Sequence, residues 1–290
     1  MLKFKLFDVH THTQFAAFEK DYKEVIDRAL KNSVALVNVG TQKHTSLKAV
    51  EIAEQYSDGV YAAVGLHPIH TEDSFHDSKE LGASFSNSGF TSRHEEFDYE
   101  YYKKLAENPK TVAIGECGLD YYRLEPETKQ KQFKVFEAQI DLAAEVKKPL
   151  MIHCRQAFPD LINILQANSY KLKADNPGII HFFSGSKENA AELLRLGFSF
   201  SFGGVITFPP KADQPPADTK DCDEVMKYLP MENIVLETDA PYVAPVPYRG
   251  KRNEPSYIIE VAKKIAEIKN ISFEKTADIT TRNALRIFKN

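Results

Sequence analysis

The chain has 290 residues, 42% of them apolar and 27% charged, with a formal net charge of -4 at pH 7. That length and apolar content suit one large α/β domain, and no apolar run approaches the roughly 18–20 residues a membrane span needs. The slightly acidic balance excludes a protein that coats nucleic acid by bulk positive charge, but not one that grips a few phosphates locally.

Residues 5–9 read as a first strand and lead into Phe7-Asp8-Val9-His10-Thr11-His12. Side chains two apart on a strand share a face, so Asp8, His10 and His12 can point together. A helix is expected over 22–31, a second strand over 35–39 and a helix over 44–56. The third strand, 60–64, runs into Gly65-Leu66-His67-Pro68. His67 either contacts a phosphate or leaving group or is a plain polar cap. Residues 70–96 are rich in Ser, Asp, Glu, His and Gly and read as a surface excursion, either an active-site wall or a decoration.

A helix over 97–107 stops at Pro109, which cannot continue it. The fourth strand, 112–115, runs directly into Glu116. Pro126-Glu127 then opens a helix over 126–146, with a ring in the first turn and a negative charge at the positive dipole end. Strand five, 150–153, ends in His153. Arg155 follows on the same face, either as a phosphate clamp or in a surface ion pair. Helix 160–167 precedes strand six, 179–181, which ends in His181. Ser184-Gly185-Ser186 opens helix 187–196, as an anion site or an ordinary N-cap. Strand seven, 199–202, is followed by a proline-rich stretch over 208–219 and a helix over 221–229. Strand eight, 234–237, places Asp239 just beyond its end, and helices 255–269 and 273–288 close the chain. Eight strands each followed by a helix give an α/β fold of the (β/α)8 TIM-barrel type, one domain over residues 1–290.

In such barrels the C-terminal strand ends hold the active site. One carboxylate or imidazole after an apolar run is a satisfied polar cap by default. Five strand ends supplying His10, His12, Glu116, His153, His181 and Asp239 point instead to a metal centre of a hydrolase. Six candidate ligands exceed one catalytic zinc's needs and suit two divalent metal ions, Mg, Mn or Zn, activating a shared water. Glu116 lies between the two histidine sets and is the natural bridge. Asp239 suits a ligand that also accepts the water's proton. Glu237 is a candidate to orient a ligand histidine. Asp120 and Arg123 form a loop pair or line the groove. Arg249, Lys251 and Arg252 make a basic cluster at the catalytic end, and Tyr121, Tyr122 and Phe208 are candidates to stack on bases.

The same stretches resemble the TatD-type deoxyribonucleases of the amidohydrolase superfamily. They are Asp8-Val-His-Thr-His12, Val64-Gly-Leu-His-Pro68, Ala113-Ile-Gly-Glu-Cys-Gly-Leu-Asp-Tyr121, Ile152-His-Cys-Arg155, His181-Phe-Phe-Ser-Gly185 and Leu236-Glu-Thr-Asp-Ala-Pro-Tyr242. The run from Ala244 to Pro255 is similar as well, and the match extends to Asn283-Ala284. The resemblance implies a two-metal barrel with His10, His12, Glu116, His153, His181 and Asp239 as ligands. It implies hydrolysis of phosphodiester bonds, typically in DNA; a 3′-5′ exonuclease acting on single strands or duplex ends is expected, and on their own positions His67 and Arg155 are expected to assist. In two places the chain departs from the family. Phe182 stands where a Cys usually follows the histidine, with its side chain expected to face away from the metal. The 70–96 insertion is longer than typical.

The competing chemistry is amidohydrolase-type cleavage of an amide, lactone or ester, including aminoacyl-tRNA deacylation, on the same centre. Many such enzymes bridge their metals with a modified lysine on strand four, where this chain has Glu116. A binding module with a structural metal is the third reading, and six ligands around two ions speak against its saturated sphere. Cys117, Cys154 and Cys222 are odd in number and widely separated, so no disulfide framework or zinc knot is expected. The N-terminus lacks the apolar region and cleavage site of a signal peptide. A cytoplasmic enzyme with no membrane and no obligate protein partner is expected.

Overall fold

Strands buried on both faces appear in sequence as unbroken apolar runs, because helices cover one side and the barrel interior the other. The computed structural model describes residues 2–76, 90–122, 128–172, 176–209 and 220–288. Its strands are β1 Leu6–Thr11, β2 Val34–Val39, β3 Val60–Val64, β4 Thr111–Asp120, β5 Leu150–Arg155, β6 Gly178–Ile180, β7 Ser199–Phe202 and β8 Ile234–Leu236. They close in the order β1-β8-β7-β6-β5-β4-β3-β2, and every neighbouring pair is parallel. The helices are α1 Tyr22–Lys31, α2 Lys43–Glu54, α3 Tyr99–Ala106, α4 Thr128–Val146, α5 Phe158–Ala167, α6 Lys187–Arg195, α7 Lys220–Tyr228, α8 Ile258–Lys269 and α9 Phe273–Phe288.

The strands' apolar residues divide into two clusters. Leu36, Val64, Ile114, Ile152 and Ile180 pack with Ile26, Ile52, Phe136, Leu161 and Leu193 from the helices. Phe7, Val37, Ala63, Met151, Ile179 and Val235 pack together with Ala284 and Ile287 of α9. That second cluster is the barrel lining, and α9 closes it from the end where the strands begin. There Thr281 donates to the Lys5 carbonyl and Asn283 to the carbonyls of Met231 and Ile234. The opposite end, where the strands finish, stays open.

Two glutamines on one face of α4, seven residues apart, fix that open end. Gln139 accepts from the Leu66 amide at 2.9 Å and donates to the Leu66 carbonyl at 3.0 Å. Gln132 does the same for Asp120, at 2.9 Å both ways. Both are buried, so each satisfies two backbone groups that water cannot reach.

The structure extends β4 well past the expected 112–115, through Glu116 to Asp120. Its register against β5 shifts between Ile114 and Cys117. Gly118 then pairs with His153 at a φ of 129°, where an added Cβ would lie 2.1 Å from the His153 carbonyl oxygen. Gly118→Ala should therefore force β4 and β5 apart and cost at least about 2 kcal/mol of stability, read from urea unfolding. An unfolding midpoint equal to that of the parent protein would contradict this account of the glycine.

Part of the 70–96 excursion forms an antiparallel pair, Ser74–His76 with Phe90–Ser92. Residues 77–89 lie outside the described residues, as do Pro126-Glu127 and most of the proline-rich stretch. The last expected helix but one begins as a 3-10 turn, Pro255–Tyr257, before α8. No helix among the described residues is long and apolar enough to cross a membrane.

Candidate metal centre

The open end brings the predicted ligands into one cluster. Glu116 sits at its middle, with His181 Nε2 at 3.0 Å, His153 Nδ1 at 3.1 Å, His67 Nε2 at 3.2 Å and His10 Nε2 at 3.4 Å. Asp239 Oδ1 lies 3.3 Å from His12 Nε2 and 3.8 Å from His10 Nε2. Three overlapping groups have ligand atoms within 4.8 Å of one another: His10, Glu116 and His181; His10, His12 and Asp239; His67, Glu116 and His153.

Hydrogen bonds on the far side of two rings fix which nitrogen carries a lone pair. His12 Nδ1 is 2.7 Å from the Val39 carbonyl, so it holds the proton and Nε2 is the free donor. That nitrogen is 3.2 Å from His10 Nε2. His153 Nε2 donates to Asp120 at 2.8 Å, leaving Nδ1 facing Glu116. Lone pairs aimed at carboxylate oxygens at this range repel unless a cation lies between them. Imidazole and carboxylate donors, each oriented by an outer partner, suit a divalent metal.

His67 behaves differently. The Ile69 amide donates to its Nδ1 at 3.1 Å, so the neutral ring carries its proton on Nε2 and donates it to Glu116. It thus braces the central carboxylate. His67 also lines the cavity, within reach of a bound ligand.

The charges follow from this packing. Burial acts to raise the Glu116 carboxyl, but His67, His181 and His10 together hold it well below the ordinary carboxylate range. Asp239 is likewise pulled down against burial by His12 and His10. Burial and then the His181 charge depress His10. For His181, burial opposes the charged ring, yet Glu116 and Glu237 raise it well above normal. Asp120 is lowered to about 2, because its bond to His153 outweighs its burial.

Several expectations change on contact with the structure. Asp8 does not join His10 and His12. The register of β1 shifts between Asp8 and Thr11, and Asp8 instead accepts from the amide and hydroxyl of Thr238 and from the His10 amide, tying β1 to β8. Burial pushes its carboxyl well above the usual value. Asp120 is the end of β4 and not a loop residue; there it holds His153 and lines the cavity, the second of its two expected roles, while Arg123 lies outside the described residues. Arg155 lines the cavity with its guanidinium 3.5 Å above the centre of the Tyr122 ring. Arg252 grips Asp21 through two nitrogens and Arg249 lies over Phe208, so much of the basic cluster is engaged in packing. Tyr121 donates to Asp160, and Ser186 is an ordinary N-cap with Asn189. Glu237 Oε2 is 3.5 Å from His181 Nδ1, an ionic contact longer than a hydrogen bond. Phe182 does not turn away: it lines the cavity beside His181.

Sequence reasoning missed Gln132, Gln139 and Lys48. The glutamines look like ordinary helix positions, though their spacing of seven on one helix was a usable sign. Lys48, on α2, borders the cavity, and nothing separates it in sequence from any solvated lysine.

The cavity over this cluster has a volume of about 1200 Å³ and is lined by His12, His67, Glu116, His153, His181 and Asp239 among others. Residues 7–289 match the model of the TatD related DNase family. The chain is 39% identical over 285 residues to the uncharacterized metal-dependent hydrolase YabD of Bacillus subtilis, covering 98% of this chain and 99% of that one. It is 30% identical over 288 residues to the 3′-5′ ssDNA/RNA exonuclease TatD of Erwinia tasmaniensis, covering 98% and 99%. The crystal structure of YjjV, a TatD homolog from Escherichia coli K12, superposes with a TM-score of 0.79 at 25% identity, covering 99% of each chain. The chain is a metal-dependent hydrolase and belongs to the TatD related DNase family.

Proposed function

We propose that this chain hydrolyses phosphodiester bonds in DNA, releasing nucleotides from the 3′ end of single strands or frayed duplex ends. The observation that carries the reading is five imidazoles gathered around the carboxylates of Glu116 and Asp239 beneath a cavity of about 1200 Å³. The name of the Erwinia relative, a 3′-5′ ssDNA/RNA exonuclease, supports the substrate class.

In this reading His10, His12 and Asp239 would hold one divalent ion and His153 and His181 a second, each Mg, Mn or Zn, with Glu116 facing both sets and available to both. Such ions polarise a phosphoryl oxygen and acidify water. Asp239, the more exposed of the two carboxylates, accepts the proton of the attacking water. Arg155, steadied on Tyr122, presents its guanidinium to a phosphate at the cavity wall. His67 keeps Glu116 in place through its Nε2 proton. The barrel is one domain over residues 1–290, and the buried thiols of Cys117 and Cys154 accord with a reducing, cytoplasmic location.

The test is nucleotide release from a 5′-labelled single-stranded oligonucleotide with Mg²⁺ or Mn²⁺, with and without EDTA. Stepwise shortening from the 3′ end that stops with EDTA is the expected result. Intact DNA at high concentrations of metal-loaded protein would overturn the reading and favour hydrolysis at carbon by the same residues.

A further inference from the structure

Two phenylalanines follow His181, and the fold sends them in opposite directions. Phe183 goes into the core, its amide donating to the Ser201 carbonyl at 3.1 Å and its ring edge-on to Phe158 and Phe200. Phe182 stays half-buried on the cavity wall, with its ring centre 6.2 Å from that of His181. Its φ is 46°, in the left-handed region that a bulky aromatic residue seldom adopts. That conformation is held by the buried carboxylate of Glu237, whose Oε1 accepts from the Phe182 amide at 2.8 Å while its other oxygen accepts from Ser201.

The ring also has a seat made for it. It lies over Gly203, where an added Cβ would come within 3.1 Å of its Cε2 and 3.4 Å of its Cδ2. A strained backbone, an anchoring carboxylate and a glycine beneath the ring therefore act together to set a flat apolar surface beside the candidate centre. Phosphate chemistry has no use for such a surface. A nucleobase does, because every base offers a π-face that stacks on an aromatic ring whatever its sequence.

We propose that Phe182 is the base-binding residue of this site, stacking on the nucleobase of the nucleotide next to the bond being cut. The proposal rests on the phosphodiesterase reading for its substrate class. It makes the chain selective for base-bearing termini over abasic ones, and tolerant of which base is present. Stacking of this kind changes affinity by about 5- to 150-fold per base.

The first arm of the test is calorimetric binding of dAMP and of 2-deoxyribose 5-phosphate to full-length, Mn²⁺-loaded protein. The parent protein should bind dAMP at least about tenfold more tightly than the base-free sugar phosphate. Phe182→Ala should bind the two alike, Phe182→Tyr should keep the preference, and Phe182→Leu, apolar but not flat, should lose most of it. Unchanged binding of the sugar phosphate by Phe182→Ala shows that the variant is folded and loaded. The second arm is cleavage: Phe182→Ala should raise KM about tenfold on ordinary oligonucleotides and leave it unchanged on one with an abasic 3′ end, with kcat little altered on either. Equal dAMP preference in the parent protein and Phe182→Ala overturns the proposal. Base preference without any DNA cleavage would keep the stacking site and remove the phosphodiesterase reading; cleavage without base preference would do the reverse.

Discussion

Asparagine in place of Asp239 is expected to lower nucleotide release about 10²- to 10⁴-fold at saturating metal, with little change in KM for the oligonucleotide. The two side chains have nearly the same shape, and asparagine tolerates the left-handed backbone that Asp239 adopts at a φ of 54°. The Asp239 amide would still donate to the His10 carbonyl, and the side-chain oxygen would still reach toward His12. What disappears is the negative charge and the ability to take up a proton. In the proposed mechanism Asp239 is suited to that task because His12 and His10 hold it ionised against the cost of burial. A loss confined to kcat identifies a group acting on the reacting atoms, whereas a loss of metal content would mark a ligand alone. Activity within about twofold of the parent protein would remove Asp239 from the mechanism.

The ring of candidate ligands was readable in sequence because the barrel strands are apolar runs, and at five of their ends stands a His, Glu or Asp. Strand five ending in His153 needs no tertiary information to be noticed. What escaped depends on departures from regular alternation. Asp8 shares parity with His10 on paper, but the register break in β1 separates them, and its partner Thr238 is 230 residues away. Asp120 seemed to sit in a loop because the glycines at 115 and 118 hide the continuation of β4, yet those glycines let the strand pass Met151 and His153 closely. Phe182 was expected to face outward by counting from His181. The count fails because β6 ends at Ile180 and the chain turns through a positive φ at Phe182. Periodicity holds only while the chain remains a strand, and functional residues cluster where it stops being one.

The second large effect is expected at Glu116. Its side chain is only 5% exposed, and four imidazoles approach its oxygens within 3.4 Å. In the metal-free protein, glutamine at this position should be tolerated, since an amide can still accept from His67 and loses only charge–charge terms that the imidazoles can relieve by giving up protons. In the loaded protein the same substitution removes the anionic group shared by both candidate ion sites, so the metal-bound state loses far more than the empty one. Metal that binds only the folded chain stabilises it by about 4 kcal/mol when present at about 1,000 times its Kd. For a chain of this size that amounts to roughly 7 °C in Tm. EDTA should therefore lower the Tm of the parent protein by about that much and move Glu116→Gln by less than about 3 °C, as read by differential scanning calorimetry at equal protein concentration. The comparison works because it needs no substrate: it separates a carboxylate that holds the ions from one that merely pairs with histidines. If chelation shifts both proteins equally, Glu116 is a structural counter-charge and the bridging role passes to Asp239.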